Sequence, residues 1–311
     1  MALKDKTKNE SQSDLSGNTT PIERKVLLKT KFLVPPFSVI DTKTGDWLQR
    51  RRKWLNLTGN LEESREDTLF GLNKDSKSEV VKKILELGTT SHFDPALAEL
   101  IYKWFNIPGG KIIDPFGGEQ TKGVVAGVLK YPYQSVEFRQ EQVDINNIKC
   151  RDYPNVKYIC GNSEKISDLI SDSDFDLCFT SPPYYDLEVY SKEDASAIGT
   201  YEDFMFFYYK VFKQIYDKLN PNRFLVLKIG EIRDKKTGEY RNFVGDNIKI
   251  MKRIGFKYYN EIILLNSIGT ASLRCQPAFK KNRKVCKIHQ NILVFYKGDM
   301  KKIKENFEEG I

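Results

Sequence analysis

One stretch of sequence decides the fold: Ile112-Ile-Asp-Pro-Phe-Gly-Gly-Glu-Gln-Thr-Lys-Gly-Val-Val-Ala126, an apolar run that meets a glycine-rich turn and a helical segment. Gly117 and Gly118 allow the backbone to turn sharply and to approach a ligand closely. Ligands of open parallel sheets bind at the carboxyl ends of the strands. The stretch therefore predicts a strand that ends at a ligand site, where Asp114 can hold a cation or hydroxyl groups.

Strand-like runs and helical segments alternate around this stretch. The strand-like runs are 111–114, 135–138, 156–160, 175–180, 224–229, 261–265 and 291–296, and helical spacing is found at 95–105, 123–130, 140–150, 201–219 and 245–254. Strands that alternate with helices predict a mostly parallel sheet covered on both faces. We therefore predict an α/β fold, a Rossmann-like doubly wound mixed sheet of about seven strands. The last two strands are separated by 25 residues without a clear helix, so an antiparallel pairing is open to them.

Composition narrows the class of protein. The chain has 311 residues, of which 40% are hydrophobic, so it has enough apolar mass for a folded core. No run approaches the roughly 18 apolar residues of a membrane helix, and the polar N-terminal residues predict no secretory signal. Five dispersed cysteines without a CxxC pair fit a reducing cytoplasm. The net charge of +8 leans towards a polyanionic partner.

Charge and pattern divide the chain into four regions. Residues 1–24 carry four basic and four acidic residues and are predicted to be a disordered tail. The other regions are a basic N-terminal extension at 25–90, the sheet domain at 91–298 with a basic insertion at 266–290, and a C-terminal tail at 299–311.

The extension contains a predicted helix in which Trp47 and Trp54 flank four consecutive cations. One interpretation is that the tryptophans pack inward while the cations stay solvated. The other is a phosphate contact, because cations beside aromatic rings suit a nucleic-acid backbone. The second interpretation assigns Arg50, Arg51 and Arg52 to DNA binding.

A second motif, Ser181-Pro-Pro-Tyr184, follows the fourth strand. Its two prolines fix φ and remove two amide donors, so the loop is rigid and rich in acceptors. This suits a planar ring with an exocyclic amine. The amine's protons go to the Ser181 hydroxyl and a proline carbonyl, and the ring stacks on Tyr184.

The next strand end supplies an acid, Glu137, 23 residues after Asp114. An acid about 20 residues downstream typically takes a ribose diol. The glycine pattern is neither G-x-G-x-x-G nor a phosphate-binding P-loop, which disfavours a pyrophosphate cofactor. A nucleoside with a charged, non-phosphate tail is favoured.

These residues resemble the S-adenosylmethionine-dependent DNA amino-methyltransferases, which modify N4 of cytosine or N6 of adenine. The family motifs D-P-F-x-G-x-G-T and S/D/N-P-P-Y correspond to Asp114-Pro-Phe-Gly-Gly-Glu-Gln-Thr121 and Ser181-Pro-Pro-Tyr184. The resemblance covers about 91–298, is similar to phage-borne members, and implies the class I methyltransferase fold. Restriction-modification is one role in which such enzymes occur.

The resemblance implies a set of site residues. The catalytic residues are Ser181, Pro182, Pro183 and Tyr184. S-adenosyl-L-methionine is implied as cofactor, held by Phe93, Asp114, Pro115, Phe116, Gly117, Gly118, Thr121, Glu137, Asn162, Ser163 and Thr180. Two positions depart from the family: Gln120 stands where the last glycine is usual, and Asn162 where an acid usually meets the adenine amine.

The implied reaction is methyl transfer to the exocyclic amine of a flipped base. No cysteine follows a proline, so the nucleophile of cytosine-C5 enzymes is absent. Serine at the first position of the second motif favours N4 of cytosine. Three alternatives stay open: an N6-adenine DNA enzyme, an RNA base methyltransferase, and an inert DNA-binding protein on the same scaffold, which Gln120 and Asn162 suggest.

The expected partner is double-stranded DNA. Besides the arginines of the extension, the DNA-binding candidates are Arg274, Lys280, Lys281, Arg283, Lys284 and Lys287. Cys275, Cys286 and His289 lack a fourth ligand, so no metal is predicted. We expect a monomer or a homodimer, with a cognate restriction endonuclease as a candidate partner protein. The expected location is the cytoplasm of a bacterial, archaeal or phage-infected cell.

Overall fold

A computed structural model of the protein describes residues 28–58, 93–185, 199–265 and 271–307. The chain divides into two units, 1–37 with 311, and 38–310. All helices and strands named below belong to the second unit. The tail predicted at 1–24 lies outside the described residues.

Eight strands form one sheet in the described chain. They are β1 (Val39–Asp41), β2 (Ile112–Asp114), β3 (Tyr133–Glu137), β4 (Val156–Cys160), β5 (Phe175–Thr180), β6 (Leu219–Ile229), β7 (Lys257–Leu265) and β8 (His289–Lys297). Their order across the sheet is β1-β7-β8-β6-β5-β2-β3-β4. β8 runs antiparallel to its neighbours β6 and β7, and all other neighbours are parallel.

Helices cover the sheet. They are α1 (Gly45–Thr58), α2 (Pro95–Phe105), α3 (Thr121–Val128), α4 (Gln140–Lys149), α5 (Ile166–Leu169), α6 (Tyr201–Lys218), α7 (Phe243–Ile254), α8 (Ala271–Asn282) and α9 (Ile303–Asn306). None of these described helices is long and apolar enough to cross a membrane.

The predicted doubly wound mixed sheet is confirmed, and all seven predicted strands are present. The eighth strand, β1, comes from the basic extension and pairs with β7. The expectation that 266–290 lacks a helix is wrong, because α8 occupies half of it. Pro277 lies inside α8, and an interior proline removes one backbone hydrogen bond, which makes the helix unrecognisable from the sequence.

The central strands are continuous apolar runs in the sequence because they are buried in the core. All six residues of β5 are buried, because helices pack on both faces of the sheet. One face is covered by the aromatic side of α6, where Phe204, Tyr208 and Phe212 are fully buried. Burial of each such side chain contributes about 2 kcal/mol. At the other end of the chain, the Phe307 ring lies 5.2 Å from that of Phe224, so part of the predicted C-terminal tail packs on the sheet.

The tryptophan-flanked helix α1 packs on α2. Trp47 and Trp54 are buried, with 1% and 8% of their surface exposed. Trp47 Nε1 donates to Asp94 Oδ2 at 2.7 Å, and Trp54 Nε1 donates to Glu99 Oε2 at 2.6 Å. Inward packing of the tryptophans is therefore confirmed. Arg50 also turns inward and donates to both carboxylate oxygens of Glu99, at 2.5 and 2.6 Å.

Glu99 joins α1 to α2, and its replacement by glutamine is expected to lower the free energy of unfolding by about 2 kcal/mol at pH 7. Burial opposes its ionisation, but hydrogen bonds from Arg50 and Trp54 and nearby positive charge lower the pKa of Glu99 below its ordinary 4.5. A carboxylate with a lowered folded-state pKa stabilises the fold above its unfolded pKa. That contribution is lost as the pH falls through the folded pKa.

Urea denaturation of the original protein and of Glu99→Gln, at pH 7 and below pH 4, measures the contribution of the Glu99 charge to stability. The difference between Glu99→Gln and the original protein should be full at pH 7 and should shrink in acid. Glu141→Gln, at an exposed position on α4, is the matched control and should change stability little at either pH. If the difference in unfolding free energy between Glu99→Gln and the original protein stays constant with pH, the Glu99 charge does not join α1 to α2.

Candidate active site

The candidate site lies at one edge of the sheet, where the parallel strands end and the antiparallel β8 begins. This edge brings together the two sequence motifs, which follow β2 and β5, and the acid at the end of β3. It also receives the residues just before β8, because Asn291 of that strand pairs with Ile229 at the end of β6. The switch in strand direction therefore adds the basic segment to the same edge.

The glycine turn after β2 is held against β3. Gly117 N donates to Val136 O at 2.8 Å, and a Cβ on Gly117 would lie 2.2 Å from Ser135 Oγ, so a side chain does not fit. Gly118 has a φ of +60°, which favours glycine, and its N donates to Glu137 Oε2 at 3.0 Å. The space where a Cβ would stand on Gly118 is open. The two glycines therefore leave a gap beside Glu137.

Asp114 is fully buried and is satisfied from within the chain. Tyr133 Oη donates to its Oδ2 at 2.8 Å, Phe116 N donates to its Oδ1 at 3.0 Å, and Lys122 forms an ion pair with it. Burial and the Asp114 charge hold the pKa of Tyr133 well above its ordinary value, so that hydroxyl remains a donor. The cation that Asp114 holds here is thus the ammonium of Lys122, a residue that the motif alone does not identify.

Phe93 lies beside this ion pair. Its ring is 5.4 Å from Lys122 Nζ and 5.1 Å from Lys228 Nζ, and it contacts Phe179 of β5 edge-on at 5.6 Å. Phe93 N donates to Glu119 Oε1 at 3.1 Å, which ties the segment before α2 to the glycine turn. The ring is therefore held at the junction of the two motifs.

Several residues of the first motif support the loop itself. Thr121 donates from both its N and its hydroxyl to Glu119 Oε2, and Gln120 is buried with 2% of its surface exposed. Ser163 Oγ donates to Pro115 O at 2.6 Å. The end of the site near Asp114 is consequently filled by the chain's own side chains.

The end of the site beside Gly118 and Glu137 has hydrogen-bond acceptors that a ligand can use. Glu137 Oε1 accepts from Arg139 N and Nε, whereas Oε2 accepts only from Gly118 N among the described residues. A carboxylate has about four acceptor positions, so Oε2 can still take a ribose hydroxyl. Asn162 Oδ1 accepts from Glu164 N at 2.9 Å and has a second lone pair. The donor and acceptor set around the open side of Gly118 therefore fits a nucleoside cofactor.

Two hydrogen bonds fix the Ser-Pro-Pro-Tyr loop. Ser181 Oγ donates to Lys228 O at 3.2 Å, so its proton is engaged and its lone pairs point elsewhere. Tyr208 Oη donates to Pro183 O, which means that this carbonyl anchors the loop to α6. No donor among the described residues lies on Pro182 O. The acceptors left for a ligand are the Ser181 oxygen and the Pro182 carbonyl.

Tyr184 packs at the mouth of the site. Its ring lies 5.8 Å from that of Phe243 at an angle of 47°, and its hydroxyl accepts from Gln290 Nε2 at 3.3 Å. Thr180, just before the loop, has a buried hydroxyl without a hydrogen-bond partner among the described residues. Buried hydroxyls are normally paired, so Thr180 marks a place where a ligand or water completes the site.

The predicted DNA-binding residues differ in their exposure and partners. An exposed group follows α8 or lies at its end: Lys280, Lys281, Arg283 and Lys284. Arg51 and Arg52 are exposed on α1, whereas Arg50 is paired with Glu99. Lys287 is half-buried near Tyr184 of the Ser-Pro-Pro-Tyr loop, and the side chain of Arg274 lies outside the described residues. In the described chain, no group of three His, Cys, Asp or Glu side chains could hold a metal.

A feature that the sequence does not reveal is a hairpin beside the basic segment. Arg233 and Tyr240 pair across it, and the guanidinium carbon of Arg233 lies 3.8 Å from the centre of the Tyr240 ring. Lys284 Nζ lies 3.3 Å from the place where Gly238 would carry a Cβ. The hairpin therefore extends the exposed cationic surface with an exposed aromatic ring.

Comparison with known families gives a match to the C-terminal part of the chain. Residues 175–310 match the family model of the N6/N4 methyltransferases, described as DNA methylase. The match contains the Ser-Pro-Pro-Tyr loop and confirms the resemblance inferred from the motifs, with S-adenosyl-L-methionine as the cofactor. A search of curated proteins gave no significant match.

Solved structures share parts of the fold. TrmN from Thermus thermophilus is 13% identical with a TM-score of 0.43, and the match covers 66% of this chain but only 49% of TrmN. A methyltransferase from Pyrococcus furiosus is 17% identical with a TM-score of 0.46, covering 81% of this chain and 98% of that one. A TehB-like S-adenosylmethionine-dependent methyltransferase from Corynebacterium glutamicum is 18% identical with a TM-score of 0.42, covering 70% and 94%. Similarities this low carry no functional argument.

Proposed function

We propose, from the DNA methylase match of residues 175–310, that this chain methylates an exocyclic amine of a base flipped out of double-stranded DNA, with N4 of cytosine favoured. The observation that carries the proposal is the hydrogen bond from Ser181 Oγ to Lys228 O. It turns a hydroxyl, which can donate or accept, into an acceptor. An acceptor is what an exocyclic amine, with its two N–H donors, requires.

The residues of the loop perform the chemistry by positioning and polarisation. The lone pair of an aromatic amine is delocalised into its ring and is a poor nucleophile. Acceptors at Ser181 Oγ and Pro182 O draw the two N–H bonds out of conjugation and localise the lone pair on nitrogen. S-adenosylmethionine, when bound, supplies an activated methyl group, so no covalent bond to the protein is needed.

The base must leave the duplex to reach this loop. The Tyr184 ring is held by Phe243 and Gln290, so it presents a fixed face on which a flipped base can stack. Stacking of a base on an aromatic side chain contributes about 1–3 kcal/mol. Tyr184 therefore compensates part of the cost of unstacking the base from the duplex.

The DNA surface is assigned to the exposed cations around α8, together with Arg51 and Arg52. Arg233 and Tyr240 of the hairpin join this surface, since Lys284 lies against Gly238. Such contacts to phosphates supply most of the affinity and position the duplex. We assign the reaction to the cytoplasm, consistent with five free cysteines. A monomer or homodimer, and a partner endonuclease, remain parts of the proposal.

Glu137 is proposed to hold the ribose of the cofactor. Replacing it with alanine should weaken binding of S-adenosylhomocysteine by about tenfold or more, because the charge-assisted hydrogen bond to the ribose is lost. Isothermal titration calorimetry measures the affinity, and the melting temperature reports any loss of folding. Glu141→Ala, four residues further on, is the exposed control. Unchanged affinity in Glu137→Ala with an unchanged melting temperature would contradict this assignment.

An RNA base methyltransferase is the competing enzyme, and an inert scaffold is the competing non-enzyme. The filled end of the site at Gln120, Asp114 and Lys122 is the observation that favours the inert scaffold. Transfer of labelled methyl groups to duplex DNA and to RNA of mixed sequence separates the three. Our proposal expects label in DNA. Label in RNA alone supports the second function, and failure to bind S-adenosylmethionine supports the third.

A further inference from the structure

The inference concerns Lys287, which the sequence analysis grouped with the phosphate-binding cations. In the structure it is only half-exposed, unlike its exposed neighbours Lys280, Lys281 and Lys284. Its Nζ lies 3.7 Å from the point where Gly230 would carry a Cβ, and Tyr184 Oη lies 3.5 Å from the same point. The ammonium group and the catalytic tyrosine thus face one small space, which exists because residue 230 is a glycine.

This space adjoins the amine-binding acceptors. Gly230 follows Lys228 by two residues at the end of β6, and Lys228 O is the partner of Ser181 Oγ. Two residues of extended strand span about 7 Å. The space between Lys287 and Tyr184 therefore lies about the length of a base from the acceptors at Ser181.

The ammonium group is available for a ligand. No carboxylate of the described chain forms an ion pair with Lys287, although Glu231 is near enough to favour its charged form. The Glu231 carboxylate accepts from Phe243 N at the start of α7, at 2.7 Å, and from the adjacent Ile232 N, at 3.1 Å. Burial lowers the pKa of Lys287 and leaves its three donors poorly solvated.

We propose that Lys287 reads the acceptor edge of the flipped base and selects cytosine over adenine. Next to its N4 amine, cytosine presents N3 and then the carbonyl O2, both of which are acceptors. Adenine presents N1 next to its N6 amine and then a C–H group. An ammonium group, which only donates, finds a partner beyond the ring nitrogen in cytosine and none in adenine. This inference rests on the proposed methylation of DNA and gives it a specificity-determining residue.

The test uses the full chain with Lys287→Met, which keeps the length of the side chain and removes the charge. Duplex DNA of random sequence is incubated with S-adenosylmethionine at subsaturating DNA, and N4-methylcytosine and N6-methyladenine are quantified by mass spectrometry. Loss of one good base contact should lower N4-methylcytosine formation by about tenfold and raise the N6-methyladenine share. The salt dependence of DNA binding should stay unchanged, because no phosphate contact is lost.

Lys284→Met is the matched control from the same basic segment. It should lower DNA affinity and its salt slope, by about 0.9, without changing the ratio of the two marks. If Lys287→Met behaves like this control, or lowers both marks equally, Lys287 does not read the base and the inference is overturned. Absence of any mark from the original protein would instead overturn the proposed function, and the inference with it.

Discussion

Replacing Ser181 with alanine is expected to lower methylation of DNA by at least about 100-fold while leaving DNA affinity and the melting temperature near those of the original protein. The magnitude follows from the cost of removing one preorganised polar group from a catalytic site. Alanine removes the Ser181 hydroxyl, whose orientation as an acceptor is fixed by the hydrogen bond from its own proton to Lys228 O. The fold loses little, because a single part-exposed hydrogen bond contributes about 1 kcal/mol.

Ser167→Ala is the matched control, since Ser167 is exposed on α5, where its N–H donates to Gln214 of α6. It should methylate DNA at the normal rate. Single-turnover measurement with labelled S-adenosylmethionine at saturating DNA isolates the transfer step from binding. Full activity of Ser181→Ala under these conditions would refute the assigned role of the hydroxyl.

Neutralising four cations around α8 is expected to produce the second large effect. Replacement of Lys280, Lys281, Arg283 and Lys284 by glutamine should lower the slope of log K against log salt by up to about 3.6, which is 0.9 for each phosphate contact. At moderate salt this corresponds to a loss of tenfold or more in DNA affinity. The rate at saturating DNA should change little, because these side chains lie outside the catalytic loop.

A charge-matched control lies at the opposite edge of the sheet. Lys257 begins β7, and Lys301, Lys302 and Lys304 follow the end of β8, so all four point away from the site edge. Their replacement changes the net charge by the same amount. Equal slopes for the two quadruple variants would show that net charge alone, rather than the α8 surface, determines the affinity.

The sheet can be predicted from the sequence because its central strands are buried on both faces. Such strands appear in the sequence as apolar runs between helical segments. The helix α8 cannot be predicted in this way, since Pro277 breaks the local pattern and only the tertiary context retains the helix. Strand β1 was missed for a related reason. Only three residues long, it is specified by its pairing with β7 rather than by a hydrophobic run of its own.

The sequence predicts which residues lie at the site, but not the hydrogen bonds and ion pairs between them. Motif spacing placed Ser181, Asp114 and Glu137 at one edge, where the structure has them. It did not show that Lys122 pairs with Asp114, that Tyr208 takes the Pro183 carbonyl, or that Lys287 faces Tyr184. These contacts join residues that are distant in sequence, or depend on which way a long side chain turns, and no local pattern encodes them.

The central claim is transfer of a methyl group to an exocyclic amine in DNA, and mass spectrometry of nucleosides tests it most directly. DNA is taken from cells that express the protein and from cells that express Ser181→Ala. The account predicts N4-methylcytosine in the first sample and none above background in the second. Neither N4-methylcytosine nor N6-methyladenine in DNA from cells with the folded, unaltered protein would contradict it.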